Sequence, residues 1–269
     1  MKNTDIFIFS QDIPKIYPKS EEYKLVSIEK IDKPCEIQKI CLSNEPYCND
    51  EILKKEHAYS ECARIHAIWQ YYPLQKYVGI SHYRRYLEFF DKVPNLDDIF
   101  KKHDVMYQLF DIGWPSIENN YRGCHNIDDL QQCVDIIKRD YPDFAEAADE
   151  VLSSKYFVPC NVFLTTKEMF CEWCEFLFGV LDKYDEEMGF KTDLDVYNHV
   201  VNNLDKYTEN KSGLPNTSTT YQSRIQAFLS ERISSIFFKK MAKNPYYCDM
   251  LLTEVNYEFE KTYFKLYEK

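Results

Sequence analysis

Glycine is scarce, with six in 269 residues. Loops of the GxxxxGK[S/T] or GxGxxG kind need several glycines close together so that backbone N–H groups can approach phosphate oxygens. No such cluster occurs, so a phosphohydrolase or phosphotransferase reading has little support. Long apolar runs are lacking too. Without a stretch of about 18 apolar residues no membrane-spanning helix is expected, and Ile6-Phe7-Ile8-Phe9 is too short for the apolar core of a signal peptide. Positive charge is outnumbered, 33 Lys+Arg against 44 Asp+Glu for a net charge of −11. That balance argues against a nucleic-acid surface and against broad adhesion to anionic lipid, while leaving room for docking through a small basic or apolar patch. Together these absences predict a cytoplasmic chain, peripheral at most to the inner face of the membrane, whose ten cysteines stay reduced. Cys171 and Cys174 form a C-x-x-C with no second pair, inside an amphipathic stretch, which favours core packing over zinc or redox use. Internal repeats and low-complexity segments are absent as well.

What is present supplies a core: 45% of residues are hydrophobic and 16% aromatic, enough for one large α/β domain. The most informative stretch is Tyr77 to Tyr86, Y-V-G-I-S-H-Y-R-R-Y. Its first residues suit a buried strand, and His82, Arg84 and Arg85 fall at the carboxyl end. Ligands of open α/β sheets bind outside the carboxyl ends of strands, and paired guanidinium groups there can grip phosphate oxygens two at a time. The alternative is that the arginines pair with carboxylates of this acidic chain while Tyr83 and Tyr86 cap a core edge. Just upstream, Ala58, Cys62, Ile65, Trp69 and Tyr72 recur at helical spacing, predicting one helix over 56–72 laid on the sheet.

Elsewhere, strands are predicted at 5–10, 23–28 and 105–109, with an irregular connection over 29–50 placed to cover a nucleotide. Asn126 caps a helix whose Ile127, Leu130, Val134 and Ile137 share a face. Residues 157–165 read as a strand interrupted by Pro159, with Asn161 in its middle, followed by an apolar helix over 167–181. A polar helix near 193–205, a loop over 207–219 and a helix from about 221 to 241 complete the pattern. The domain is expected to span 1–241, with 242–269 as an arm packed on it or contacting a partner.

Y-S-E-C-A-R-I-H-A-I-W followed by Y-V-G-I-S-H-Y-R-R-Y resembles a family of bacterial capsular and exopolysaccharide synthesis proteins with an H-Y-R-R-Y signature. That family was long carried as a domain of unknown function and is regarded as glycosyltransferases. D-V-M-Y-Q-L-F-D-I at 104–112, the C-N-V-F-L block at 160–178 and Q-A-F-L-S-E-R-I at 226–233 follow in the family's order. The chain departs from it at 51–56, where E-I-L-K-K-E replaces an Asn-Ile-Ser-x-Lys-Asn run. The resemblance implies a GT-A-like α/β fold, a mostly parallel sheet flanked by helices with a helical C-terminal part. It also implies transfer of a sugar, galactose or galactofuranose, from a nucleotide-diphosphate donor, UDP-linked, to a capsular, exopolysaccharide or lipopolysaccharide-type glycan or lipid-linked glycan acceptor. The other reading is a non-catalytic nucleotide- or glycan-binding subunit of an assembly complex.

In the GT-A arrangement the mid-domain strand ends in Asp-x-Asp holding a divalent cation. Here Ser81-His82-Tyr83-Arg84 stands in that place, so no cofactor is expected to be required, weak dependence on a divalent metal being the alternative, and the arginines would stand in for the metal. The site residues are then His82, Arg84 and Arg85 at the diphosphate, with Asn161, Glu61, Arg64 and Tyr83 at the donor sugar or in support. Glu61 and Arg64, three apart on one helix face, read equally well as an internal ion pair, and Asn161 as a structural amide. Glu231 is the candidate catalytic carboxylate, one helix face with Arg224 and Phe228; its alternative is an ion pair with Arg232. Asp111, just past a strand, is the competing acid–base candidate.

Overall fold

A computed structural model of the chain describes residues 3–90, 92–208 and 218–253. At its centre lies a sheet that has nine strands among the described residues, in the order β10–β6–β9–β4–β1–β2–β3. The strands are β1 (Thr4–Phe9), β2 (Tyr23–Ser27), β3 (Gln38–Cys41), β4 (Tyr77–His82), β5 (Arg85–Leu87), β6 (Val105–Tyr107), β9 (Phe163–Thr166), β10 (Tyr246–Tyr247) and β11 (Met250–Leu252). Two further strands, β7 (Phe110–Asp111) and β8 (Tyr156–Phe157), pair only with each other. β1 is parallel to β2 and β4, and β9 runs antiparallel between β4 and β6, so β6 and β10 point the same way as β4. At the end of β4, β5 folds back and pairs with β11.

β1 is buried along its whole length. Its side chains alternate: Phe7 and Phe9 enter a large core built mainly with helices, Ile6 and Ile8 a smaller one on the opposite face with Tyr23, Tyr86 and Met250. Gly79 of β4 sits opposite Ile6 and Leu164 in the register. A Cβ there would come 2.9 Å from Leu164 Cδ1 and 3.2 Å from the Phe163 carbonyl oxygen, so glycine permits this close approach.

The helices are α1 (Glu56–Tyr59), α2 (Glu61–Tyr71), α3 (Leu96–Ile99), α4 (Ile117–Cys124), α5 (Ile127–Asp140), α6 (Ala145–Ser153), α7 (Lys167–Met188), α8 (Asp193–Asn202), α9 (Leu204–Thr208), α10 (Thr219–Gln222) and α11 (Ile225–Met241). α11 is buried nearly all round, which suits its central place among α5, α6 and α7 and explains the small Ser230, Ser234 and Ser235 along it. Cys171 and Cys174 lie on α7, where burial pushes both thiols up. Among the described residues no helix is long and apolar enough to cross a membrane.

Several boundaries differ from expectation. The helix over 56–72 is two, broken at Ser60, whose φ of 51° no helix accepts. The connection over 29–50 contains β3, which pairs with β2 although only Ile40 of its four residues is buried; edge pairing, rather than an apolar run, makes it a strand. The interrupted strand at 157–165 is β8, a turn over Pro159–Asn161 and β9, so Asn161 lies in the turn rather than in a strand. The last helix likewise splits into α10 and α11, and much of the loop over 207–219 lies outside the described residues. Past 241, β10 and β11 join the main sheet, and the rest of the expected arm, from 254 on, lies outside the described residues.

One buried acid should leave a pH signature. Asp129, in the first turn of α5, accepts hydrogen bonds from the Tyr184 hydroxyl at 2.8 Å and the Tyr207 hydroxyl at 2.9 Å. Burial nevertheless pushes its carboxyl up to about 7, against those hydrogen bonds, with Asp128 adding to the rise and Lys206 opposing it. The folded chain therefore holds this proton over a range where the unfolded chain has released it. Its contribution to stability is full below about pH 4 and is lost as pH rises through about 7, at a slope no steeper than about 1.4 kcal/mol per pH unit. Between those limits the Tm of the parent protein should fall with rising pH relative to that of Asp129→Asn. Parallel curves would refute the assignment.

Candidate active site

The chain builds outward from β1 to β2 and β3, then returns through α1 and α2 to lay β4 on the other side of β1. The carboxyl ends of β1 and β4 thus flank the point where strand order reverses, the place where open α/β sheets form a crevice. Phe9 pairs with His82 there. A cavity of about 480 Å³ opens at this point. Ser10, Gln11 and Asp12 follow β1 into it, and Ser81, His82, Tyr83 and Arg84 end β4. Ser60, Glu61 and Arg64 come from the start of α2, with Cys160 and Arg224 closing the far side.

The cationic cluster is preorganised and largely unspent. Among the described residues no acidic side chain pairs with Arg84 or Arg85, and Arg84 Nε is buried without a hydrogen-bond partner. The Arg84 guanidinium lies 4.9 Å from the centre of the Tyr83 ring, which fixes its plane. His82 Nδ1 faces the Arg84 N–H at 3.3 Å and Arg85 Nη1 at 3.4 Å. Both are donors only, so Nδ1 accepts and the ring proton belongs on Nε2. Burial first, then Arg85, Arg84 and Arg224, hold His82 well below the ordinary imidazole range, so the ring is neutral near pH 7. Arg224 donates from Nη2 to Ser60 Oγ at 2.8 Å. Arg64 pairs with Glu56 and not with Glu61, so the internal Glu61–Arg64 pair does not form. Glu61 is raised chiefly by burial; the Glu231 charge adds to this and Arg224 opposes it.

A second cavity, about 240 Å³, adjoins the first at Cys160 and is lined by Arg85, Gln108, Phe110, Phe157, Pro159, Glu231, Met250 and Leu252. Glu231 is held from two sides: Oε1 accepts the Cys160 N–H at 2.9 Å and Oε2 pairs with Arg232 Nη1 at 2.8 Å. Arg232 is itself tied to the Phe228 carbonyl and to Asn120 Oδ1. The turn that presents Cys160 rests on Asn161, fully buried, whose Nδ2 donates to Ser230 Oγ at 3.0 Å and whose Oδ1 accepts from Ser234 Oγ at 2.7 Å. The amide of Asn161 is therefore committed to α11, and its place is beneath the site in support. Burial pushes the Cys160 thiol up, keeping it protonated near neutral pH.

Backbone strain converges here. Among the described residues the non-glycine positions with positive φ are Ser60, Cys160 and Asn161. Two line the cleft and the third supports it. Such conformations cost free energy and persist where the surrounding structure enforces them, commonly at functional sites.

Of the residues expected from sequence, the cleft and its neighbour gather His82, Tyr83, Arg84, Arg85, Glu61, Arg64 and Glu231. Asp111 is not brought to them. It lies exposed on β7, with Oδ2 on Lys155 Nζ at 2.7 Å and Oδ1 accepting the Gly113 N–H; the Lys155 hydrogen bond is the main cause lowering its carboxyl. Sequence reasoning missed Ser60 and Cys160, because nothing in their spacing shows a left-handed backbone. It also left Arg224 without a role, though its shared face with Glu231 was a usable signal. Among the described residues no group of three or more His, Cys, Asp or Glu side chains is placed to hold a metal ion.

The family model described as Domain of unknown function (DUF4422) matches residues 8–201. The chain belongs to this family. The match takes in the end of β1 and all of α2, β4 and β9, while Arg224 and Glu231 of this DUF4422 protein lie beyond it. Comparison of the sequence with curated proteins gives no match. Among solved structures, that of the apo bifunctional glycosyltransferase WbbM is similar, with a TM-score of 0.67 at 16% identity, over 94% of this chain. The DUF4422 chain spans 46% of the WbbM chain. At that identity the likeness establishes the fold: an α/β domain with a mostly parallel sheet flanked by helices, as in a glycosyltransferase structure.

Proposed function

We propose that this protein is a glycosyltransferase that moves a sugar from a nucleoside-diphosphate donor, with UDP as the nucleotide, to a surface-glycan acceptor. The observation that carries this reading is the unspent pair Arg84 and Arg85. In a chain with 44 acidic residues, arginines at the reversal point of the sheet that pair with no described carboxylate suit an anion brought by a ligand. The likeness to a glycosyltransferase fold supports the same reading. In it, Arg84 and Arg85 bind the diphosphate and stabilise the charge that grows on the departing nucleotide. Neutral His82 donates from Nε2 to a donor oxygen. Glu231, in the adjoining cavity, takes the proton from the acceptor hydroxyl as it attacks the sugar. A galactose-type hexose is the donor sugar to try first.

Purified protein given a panel of UDP-sugars should hydrolyse or transfer one of them slowly. Thermal stabilisation by UDP without any turnover would instead identify a nucleotide-binding subunit. Arg84→Ala should weaken UDP binding about ten- to a hundredfold, the worth of one charge-assisted contact, and Arg84→Lys should recover only part of it for want of a bidentate fork. Full UDP affinity in Arg84→Ala and Arg85→Ala, each folded, would refute the phosphate assignment. With Ser81-His82-Tyr83-Arg84 at the end of β4, EDTA should leave most activity intact. Activity lost on chelation and restored by Mn²⁺ or Mg²⁺ would show that a cation shares the task of the arginines.

A further inference from the structure

Building on the donor-cleft reading above, we propose that the carboxyl edge of the sheet also carries a glycan-binding groove, which receives the already assembled part of an acceptor chain. β6 and β10 run parallel to β4, so their last residues, Tyr107 and Tyr247, emerge on the same edge as His82. A third cavity, about 410 Å³, opens there. It shares Phe157 with the Glu231 cavity, as that cavity shares Cys160 with the donor cleft. The three cavities follow the order of the sheet from β1 and β4, past the turn before β9, to β6 and β10. From β4 to β10 is three strand-to-strand steps, about 14 Å in all, room for an oligosaccharide rather than a single sugar.

The lining suits that occupant. Tyr156, Tyr247 and Leu109 are 42%, 58% and 41% exposed and border the same cavity, a concentration of solvent-facing apolar surface that calls for a partner. The rings are already held: Tyr247 meets the Tyr107 ring edge-on at 5.7 Å, and Lys155 Nζ lies 5.1 Å from the centre of the Tyr156 ring. Little side-chain freedom is left to lose on binding. Around them sit Ser153, Ser154 and the Glu150–Lys239 ion pair, 2.5 Å apart. Sugars present C–H faces that lie against aromatic rings and hydroxyls that need donors and acceptors at the rim, and this groove offers both. A lipid tail would leave the polar rim unsatisfied. With the chain over Phe157, its terminal hydroxyl reaches the cavity that holds Glu231.

The test is binding of the full-length protein, with UDP present, to an array of bacterial surface-type oligosaccharides graded from monosaccharides to hexasaccharides. It is run for the parent, Tyr156→Ala, Tyr247→Ala, the double Ala variant and the matching Phe variants, each checked by thermal melt, alongside a UDP titration. The parent should bind longer members more tightly than monosaccharides. Each Ala substitution should weaken that binding about tenfold while the Phe variants keep it. No glycan bound by the parent, affinity independent of length, or full affinity in the double Ala variant would overturn the groove. So would a parent dimer that the double Ala variant dissolves, since a second copy would then occupy the face. The UDP titration separates the two readings: a parent that does not bind UDP removes the donor cleft itself, whereas UDP binding without a groove effect removes only the groove.

Discussion

Glu231→Gln is expected to lower turnover about 10²–10⁴-fold while donor binding changes little, because it keeps the shape of the side chain and removes its charge. The glutamine carbonyl can still accept the Cys160 N–H that Glu231 Oε1 accepts now. What disappears is the negative charge facing the cavity beside the proposed donor cleft, which in the proposed mechanism draws the proton from the attacking hydroxyl. A purely structural Glu231, serving Arg232 at 2.8 Å, makes a different demand. The amide NH₂ would then face the Arg232 guanidinium, donor against donor, and the cost would appear as a lower Tm with near-normal activity per folded molecule. Measuring turnover, UDP affinity and Tm on one preparation separates the two, and a stable, fully active Gln variant would remove Glu231 from the mechanism.

Asn161→Ala should cost about 3–4 kcal/mol of folding stability in urea denaturation, combining unsatisfied buried hydrogen-bonding groups with the strain of a left-handed backbone that asparagine tolerates and alanine does not. The buried amide links Ser230 and Ser234 of α11, and Ser234 Oγ in turn accepts the Trp173 indole N–H at 3.0 Å. Loss of the amide therefore reaches α7 as well as α11. Asn161 also sets the turn whose Cys160 N–H aims Glu231. Activity per folded molecule should therefore fall too, without any contact between Asn161 and the donor. A loss of less than about 1 kcal/mol would show that the network is dispensable.

Much of the candidate site was readable in the chain, because its parts are local. An apolar strand ending in His82-Tyr83-Arg84-Arg85 encodes in ten residues both the buried strand and the cationic group at its carboxyl end. Helical spacing before it placed Glu61 and Arg64 on the facing element. By itself, then, the sequence determined the α/β class and the strands β1 and β4, the second ending in the cationic cluster.

Only the tertiary structure decided the rest, since it depends on pairings remote in sequence. β3 is a strand because it meets β2, not because its four residues look like one. Ser60 and Cys160 leave regular geometry where α1, α2 and the turn over Pro159–Asn161 pack against α11. Asp111 turned away on β7 to Lys155, while Arg224 came in to Ser60, contacts separated by 44 and 164 positions. Local propensity carries no information about such distant partners. It is their meeting that joins the cationic cluster at residues 82–85 to a carboxylate at 231.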